Sequence, residues 1–450
     1  MNLADTVALT AERLDLDLFR SAKDRIDPAW ITEALERGEC VGMRRRKLPA
    51  EQVVWLVIAV CLLAHRSFGD VVRTMGITVP TRRGNAQAAP SSGAVAEARK
   101  RVGSGAMCEL FRLSASHWVQ AEDFAHLRFH GLQVLAADGF TARTPDTATN
   151  LAEFGKPASM GTEASHPQVR ALCVFDVATH FITDAVFAPY DAAEVPLLEE
   201  AIPRLPDRSV CIMDRNFQAY ATLHRIRSAG EERHWLVRAK ANWLRTTLVE
   251  TLGPGDTLVR LDFSPKTRLA DPSLPATFIA RRIEYQVNGK SFVLLTSLLD
   301  AAKYPSAEVA ALYHSRWEAE LVLDDVKTEL RGAALALRSK TPEGVYQELY
   351  GVLIAHNVVR VEMARAAVML KVSPTRISFH KALVMICHHV ECMAYTTAPS
   401  KLTDRELELR SALQYLLLPE RRPDRHYPRA LKNVVARYPK KKIVQPQESS

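Results

Sequence analysis

The sequence predicts a mixed α/β core set between two helical regions. Three observations predict it. Short apolar runs alternate with helix-period segments from residue 132 to 240. Residues 1–120 and 341–390 carry helical spacing without strand signals. Two of the apolar runs end in an aspartate, Asp138 and Asp214, where open α/β sheets place their ligands. The chain has 450 residues, 47% apolar and 24% charged, which suits an ordinary globular protein of two or three domains and excludes a fibrous or disordered one.

Helices are expected at Pro28–Leu35, Ala50–Ala64 and Phe68–Met75. The breaker-rich loop Val79–Ser92 follows, and Ser91 or Ser92 can cap a helix over Ala94–Arg101. Arg44–Lys47 and Arg99–Arg101 are basic corners of this module, open to DNA contact or to a purely structural role. Leu132–Ala137, Val169–Val177 and Phe181–Phe187 read as a three-stranded antiparallel meander turning at Ala178–His180. Ala192–Leu205 has helical spacing, confined to about two turns by Pro196 and Pro203. Ser209–Met213 is a strand, Phe217–Ala229 a helix stopped by Gly230, and Trp235–Ala239 a fifth strand. Thr257–Phe263, Ala276–Tyr285 and Phe292–Ser297 are strand candidates of an insertion at about 241–300, after which a helix begins at Ser306. Three domains are expected: 1–125 helical, 126–340 the α/β core, and 341–450 helical with a basic end.

The formal net charge is +8. Arg421–Lys442 carries nine Lys/Arg against Asp424 alone, so this segment accounts for the whole excess. Arg421, Arg422, Arg425, Arg429 and Lys432, interleaved with Tyr427, form a strip suited to a phosphate backbone; a solubilising tail has the same composition. The seven cysteines are scattered without a C-x-x-C pair, which predicts a reduced, cytoplasmic protein without a zinc site. The longest apolar run, Val53–Ala64, has the length of a core helix rather than a membrane span, and the N-terminus lacks a signal peptide's basic start.

Tyr313–Lys327 (YHSRWEAELVLDDVK) spaces Tyr313, Arg316, Glu320 and Lys327 by three, four and seven. At about 100° per residue these four share a stripe roughly 60° wide on one helix face. A solvated face with an Arg316–Glu320 ion pair has the same spacing. Asp138, Asp214 and Glu320 stand on three separate elements, and three carboxylates can hold two divalent cations for an in-line phosphoryl displacement. Oxygen ligands suit Mg²⁺ or Mn²⁺. Taken singly, Asp138–Gly139 could be a turn and Asp214 a helix cap. Asp324, Asp176 and Asp184 are alternative acids, and Trp235 and Trp243 read first as core residues.

These residues resemble the bacterial insertion-sequence transposases of the Asp-Asp-Glu class, and among them the insertion-sequence-four family with its Tyr-Arg-Glu-Lys signature. Y-x₂-R-x₃-E-x₆-K matches Tyr313, Arg316, Glu320 and Lys327 at every position. D-G, D-T and F-G match Asp138–Gly139, Asp146–Thr147 and Phe154–Gly155, and D-R-N-F matches Asp214–Phe217. Arg45–Leu62 and Arg421–Pro439 resemble the family's helical start and basic end. The resemblance implies a ribonuclease-H-like core with a β insertion, and catalytic Asp138, Asp214 and Glu320 on two Mg²⁺ or Mn²⁺ ions. It implies a phosphate grip by Tyr313, Arg316, Lys327, Arg215 and the basic tail. The implied activity is cut-and-paste transposition. The chain would act as a bacterial, nucleoid-associated homodimer on double-stranded terminal inverted repeats and target DNA. A catalytically decayed DNA-binding regulator is the alternative.

Overall fold

The computed structural model of the chain describes residues 26–38, 48–80, 87–120, 122–159, 162–240, 246–287, 289–330, 336–393 and 402–419. Four helices lead: α1 (Pro28–Arg37), α2 (Ala50–Leu62), α3 (Phe68–Thr74) and α4 (Ser92–Gln120). α1 begins where Asp27 Oδ1 accepts from Ala29 N at 2.8 Å and Pro28 takes a position that needs no N–H. α2 buries Val53, Val54, Leu56, Val57, Ile58, Cys61 and Leu62, as a helix apolar on nearly all sides must. Ser91 caps α4 through Ala94 N, but the helix continues far beyond Arg101. It bends at Gly103, whose φ of 72° is a left-handed value that glycine adopts without a Cβ clash.

The core sheet is built from β1 (Gln133–Arg143), β2 (Gln168–Asp176), β3 (Ile182–Pro189), β4 (Ser209–Met213) and β5 (Arg233–Arg238). Between them lie α5 (Ala148–Phe154), α6 (Glu194–Ala201) and α7 (Tyr220–Ser228). β1, β2 and β3 form the expected antiparallel meander, while β4 and β5 join in parallel on the other side of β1. The spatial order 3-2-1-4-5, with β2 reversed, is the ribonuclease-H-like arrangement. Side chains alternate between the sheet's two faces. Val134, Ala136, Cys173, Phe175, Val210 and Ile212 join the core shared with the N- and C-terminal helices. Leu135, Ala137, Leu172, Val174, Cys211 and Met213 face α6 and α7.

The insertion does not stand apart. β6 (Thr246–Gly253), β7 (Asp256–Asp262), β8 (Thr277–Val287) and β9 (Lys290–Thr296) continue the same sheet, because β9 pairs antiparallel with β5 from Leu294–Arg238 to Thr296–Leu236. β6 carries no sequence signal because its residues are mostly exposed on both faces, so no alternation marks it.

After the insertion come α8 (Ser306–His314), α9 (Trp317–Asp324) and a π-helical turn, Asp325–Glu329. The expected single helix over Tyr313–Lys327 is therefore broken twice. Ser315, Arg316, Glu318 and Ala319 donate to carbonyls three residues back, whereas Leu330 N reaches five back to Asp325 at 2.9 Å. The tight turn advances the polar row and the wide turn retards it.

The C-terminal helices are α10 (Pro342–Leu370), α11 (Phe379–Met393) and α12 (Leu402–Ala412). α10 is buried along most of its length and carries polar residues inward, each toward a different neighbour. Gln347 Oε1 accepts from Arg99 Nε of α4 at 2.7 Å. Asn357 completes β3 as a strand would, accepting from Ile182 N at 2.9 Å and donating to Ile182 O at 2.8 Å. Glu362 accepts from Arg410 Nε of α12 at 3.1 Å. Arg99, offered by the sequence as a basic corner, is thus turned into the interior.

Trp235 is 1% exposed in β5 and packs among Phe278 and the α7 face of the sheet. Trp235→Ala should cost about 3–5 kcal/mol of unfolding free energy by urea titration; a loss under about 1 kcal/mol would contradict its place in the core.

Candidate active site

Asp138 lies within β1, not at its tip as the apolar pattern predicted, because the strand runs on to Arg143 along β2. β4 pairs with β1 only as far as Ala136, so Asp138 still stands just past the end of the parallel pairing. Asp214 is the first residue after β4, and its Oδ1 caps the following 3₁₀ turn by accepting from Asn216 N at 2.5 Å. Phe217 of the same D-R-N-F run is 1% exposed and seats that turn on the core. Arg215 is exposed beside it. Burial pushes the Asp138 carboxyl above the ordinary carboxylate range. The Gly139 N–H, 2.8 Å from Asp138 Oδ1, opposes that shift, as do Arg316 and Lys327; Asp214 adds to it. Asp138 thus lies within electrostatic reach of Asp214 and of two cations of the signature, Arg316 and Lys327.

Arg316 ends the 3₁₀ step and starts α9; its Nη2 is 3.4 Å from Glu320 Oε1. Arg316 pairs with Glu320, and its charge also reaches Asp138. Among the described residues, no three of His, Cys, Asp and Glu stand close enough to enclose one metal ion. Asp138 and Asp214 act on each other's charge, while Glu320 pairs with Arg316. Tyr313 is 9% exposed, more core than cleft. Burial raises its phenol's pKa, Arg316 opposes and Asp214 adds. Lys327 is half-buried in the π turn.

The neighbours of Glu320 fix its helix from behind. His180 Nε2 lies 2.9 Å from Glu318 Oε2. Asp325 pairs with Arg360 of α10, whose guanidinium also lies 4.9 Å from the Phe379 ring centre. His356, fully buried next to this pair, has its pKa pushed well down by burial and by Arg360.

Two residues at the cleft have no motif to mark them in the sequence. Arg238 closes β5 with its guanidinium 4.6 Å over Phe292, and its charge acts on Tyr313. Glu194 opens α6 and feels both Asp138 and Asp214. An acid in the first turn of a helix is ordinary, so its sequence signal was only its place after the third strand. The other acids take structural roles. Asp176 accepts from Thr179 Oγ1 at 2.8 Å and Ala178 N at 3.1 Å, holding the β2–β3 turn. Asp184 accepts from Arg204 Nε at 2.8 Å. Asp324 is exposed and accepts from Thr328 Oγ1 at 2.9 Å. Of the D-T pair, Asp146 binds Lys156 and Thr147 caps α5. Trp243 and the strip Arg421, Arg422, Arg425, Arg429 and Lys432 lie outside the described residues.

A family profile described as insertion element 4 transposase N-terminal matches residues 18–112, and one described as transposase DDE domain matches residues 129–358. The transposase InsG for insertion sequence element IS4 of Escherichia coli (strain K12) is 34% identical over 420 residues, covering 93% of each chain. The putative transposase InsZ of the same strain is 31% identical over 244 residues, 53% of this chain and 78% of its own. A solved piggyBac transposase synaptic complex with hairpin DNA aligns over 91% of this chain and 86% of its own, at 11% identity and a TM-score of 0.42.

Removing one partner of the Asp325–Arg360 pair leaves a buried charge. Arg360→Ala should cost about 3–5 kcal/mol in chemical denaturation. Asp325→Leu combined with Arg360→Met should recover most of that loss. Equal damage in the single and double variants would mean that the pair's charges are not what matters.

Proposed function

The chain belongs to the insertion-sequence-four family of DDE transposases, and from that membership we propose that it binds its element's terminal inverted repeats, cleaves the DNA ends and joins them to target DNA. The reading is supported by Asp138 and Asp214 lying just past the last residues of the parallel β1–β4 pairing, with Arg316 and Lys327 within electrostatic reach of Asp138.

Among the described residues, the donor set has the chemistry of a hard divalent-cation site, not its closed geometry. It offers carboxylate oxygens, and the two aspartates stand against each other's charge. Two Mg²⁺ or Mn²⁺ ions, when bound, would supply an activated water or 3′-hydroxyl and stabilise the leaving oxygen. Asp138 and Asp214 would hold them from the sheet and Glu320 from the helix. Arg316, Lys327 and Tyr313 would grip phosphates beside the scissile bond, with Arg215 at the rim. Arg316 now pairs with Glu320, and a phosphate at Arg316 would compete for that guanidinium. The helical segment up to about residue 125 and the strip from Arg421 would contact the duplex away from the cut, and two copies would pair two ends. No helix among the described residues is long and apolar enough to cross a membrane.

Asp138→Asn, Asp214→Asn and Glu320→Gln should each lower Mg²⁺-dependent end cleavage at least about 100-fold while gel-shift binding of the ends persists. Wild-type protein that binds ends without cutting them would favour a decayed regulator instead. Deleting Arg421–Ser450 should weaken end binding and flatten its salt dependence, by about 0.9 in log–log slope for each phosphate that the tail neutralises. An unchanged slope would remove the tail from the interface.

A further inference from the structure

The signature helix is fixed at its last turn by a buried ion pair as well as by packing. α9 lies against β1, and the π turn that follows it lies against α10 and α11. Val326 and Leu330 of this region are buried, while Asp325 turns back to pair with the buried Arg360 guanidinium. His356 stands one helical turn before Arg360 on α10, fully buried, with its Nε2 4.0 Å from Asp325 Oδ2. Phe379 of α11 backs both residues. Its ring centre is 5.1 Å from that of His356, at an interplanar angle of 29°, and 4.9 Å from the Arg360 guanidinium.

Docking alone does not call for this arrangement. Apolar side chains of similar volume would hold the same interface at least as well, because the attraction of a buried ion pair is largely offset by its desolvation. What apolar packing lacks is direction. A π turn is a place where helices bend, so the groups behind it set where the side chains in front of it point. Lys327 follows Asp325 by two residues, roughly 200° around the helix and so on the opposite side. It is half-buried there, and its charge reaches Asp138 of β1 and Cys173, the residue of β2 paired with Asp138. We propose that the Asp325–Arg360 pair is the positioning element for Lys327: it anchors the back of the π turn so that the ammonium group meets a DNA phosphate from the helix side, with His356 and Phe379 holding Arg360 in place. The proposal rests on the phosphate grip proposed for Lys327 and adds the residues that aim it, none of which belongs to the signature.

The full-length Asp325→Leu, Arg360→Met double variant separates direction from stability, since its apolar pair should keep the fold. Its gel-shift affinity for a terminal-repeat duplex should stay within about twofold of wild type, whereas single-turnover cleavage of the bound duplex in Mg²⁺ should fall about tenfold or more, the scale of a displacement of about 1 Å. Lys327→Met should lose a similar factor, and adding it to the double variant should cost no further rate, as for groups that act as a unit. Wild-type cleavage by the folded double variant, or losses that multiply in the triple variant, would overturn the proposal. Hydrogen exchange of the metal-free protein checks it without cleavage and serves if the double variant folds poorly. Asp325→Asn keeps the side chain's shape and weakens the pair, so exchange over residues 325–330 should quicken about tenfold with the core strands unchanged. Unchanged exchange in that turn would also overturn the proposal. Wild-type cleavage by Lys327→Met is a different result: it would remove the lysine from the proposed grip, and with it what the pair positions.

Discussion

The architecture depends on the buried polar row of α10. A long helix that is nearly all interior must satisfy every polar group it carries inward. This one satisfies most of them, though among the described residues not His356 Nε2 or Arg360 Nε, by reaching a different element at successive steps. Gln347 holds α4, Asn357 holds β3, Arg360 holds the π turn and Glu362 holds α12. Apolar packing alone would let these elements slide. Directional bonds to four neighbours set their relative positions, and the cleft lies between two of them, the sheet and the Glu320 helix.

The helix that carries Glu320 is held by the same row at its C-terminal end, where Asp325 pairs with Arg360. Glu318 and Asp325 are both drawn away from the cleft, one to His180 and the other to Arg360. On a regular helix Glu318 and Asp325 would share one face, roughly opposite Glu320 and Lys327. The backbone tightens at Ser315–Arg316 and widens at Asp325–Glu329. Wide turns of this kind cost hydrogen-bond geometry and recur at functional sites.

Charge in the cleft is gathered ahead of any ligand. Asp138, Asp214 and Glu194 act on one another, while Arg316 is divided between Asp138 and Glu320. Such a cleft is poised rather than relaxed. Anionic backbone on the cationic side and divalent cation on the acidic side would each relieve a part of it. Gly139 shows how closely the acidic side is built, since a single methyl group there would collide with Glu194.

The strands of the core were legible in the sequence, because period-two and helix-period patterns record burial directly; the place of Asp138 inside β1 and the two breaks in the signature helix were not. Trp235 was legible as core for the same reason. Other features were decided by partners distant in the chain. Arg99 reads as a surface corner until Gln347 meets it, and β6 leaves no alternation because little covers it. Glu194 looks like an ordinary first-turn acid until β1 passes beneath it. The split loyalty of Arg316 and the π turn beneath Lys327 likewise need Asp138 and Arg360 in place. Local pattern specifies which face of an element is buried; which charge lies across the cleft depends on chain crossings that no local spacing encodes.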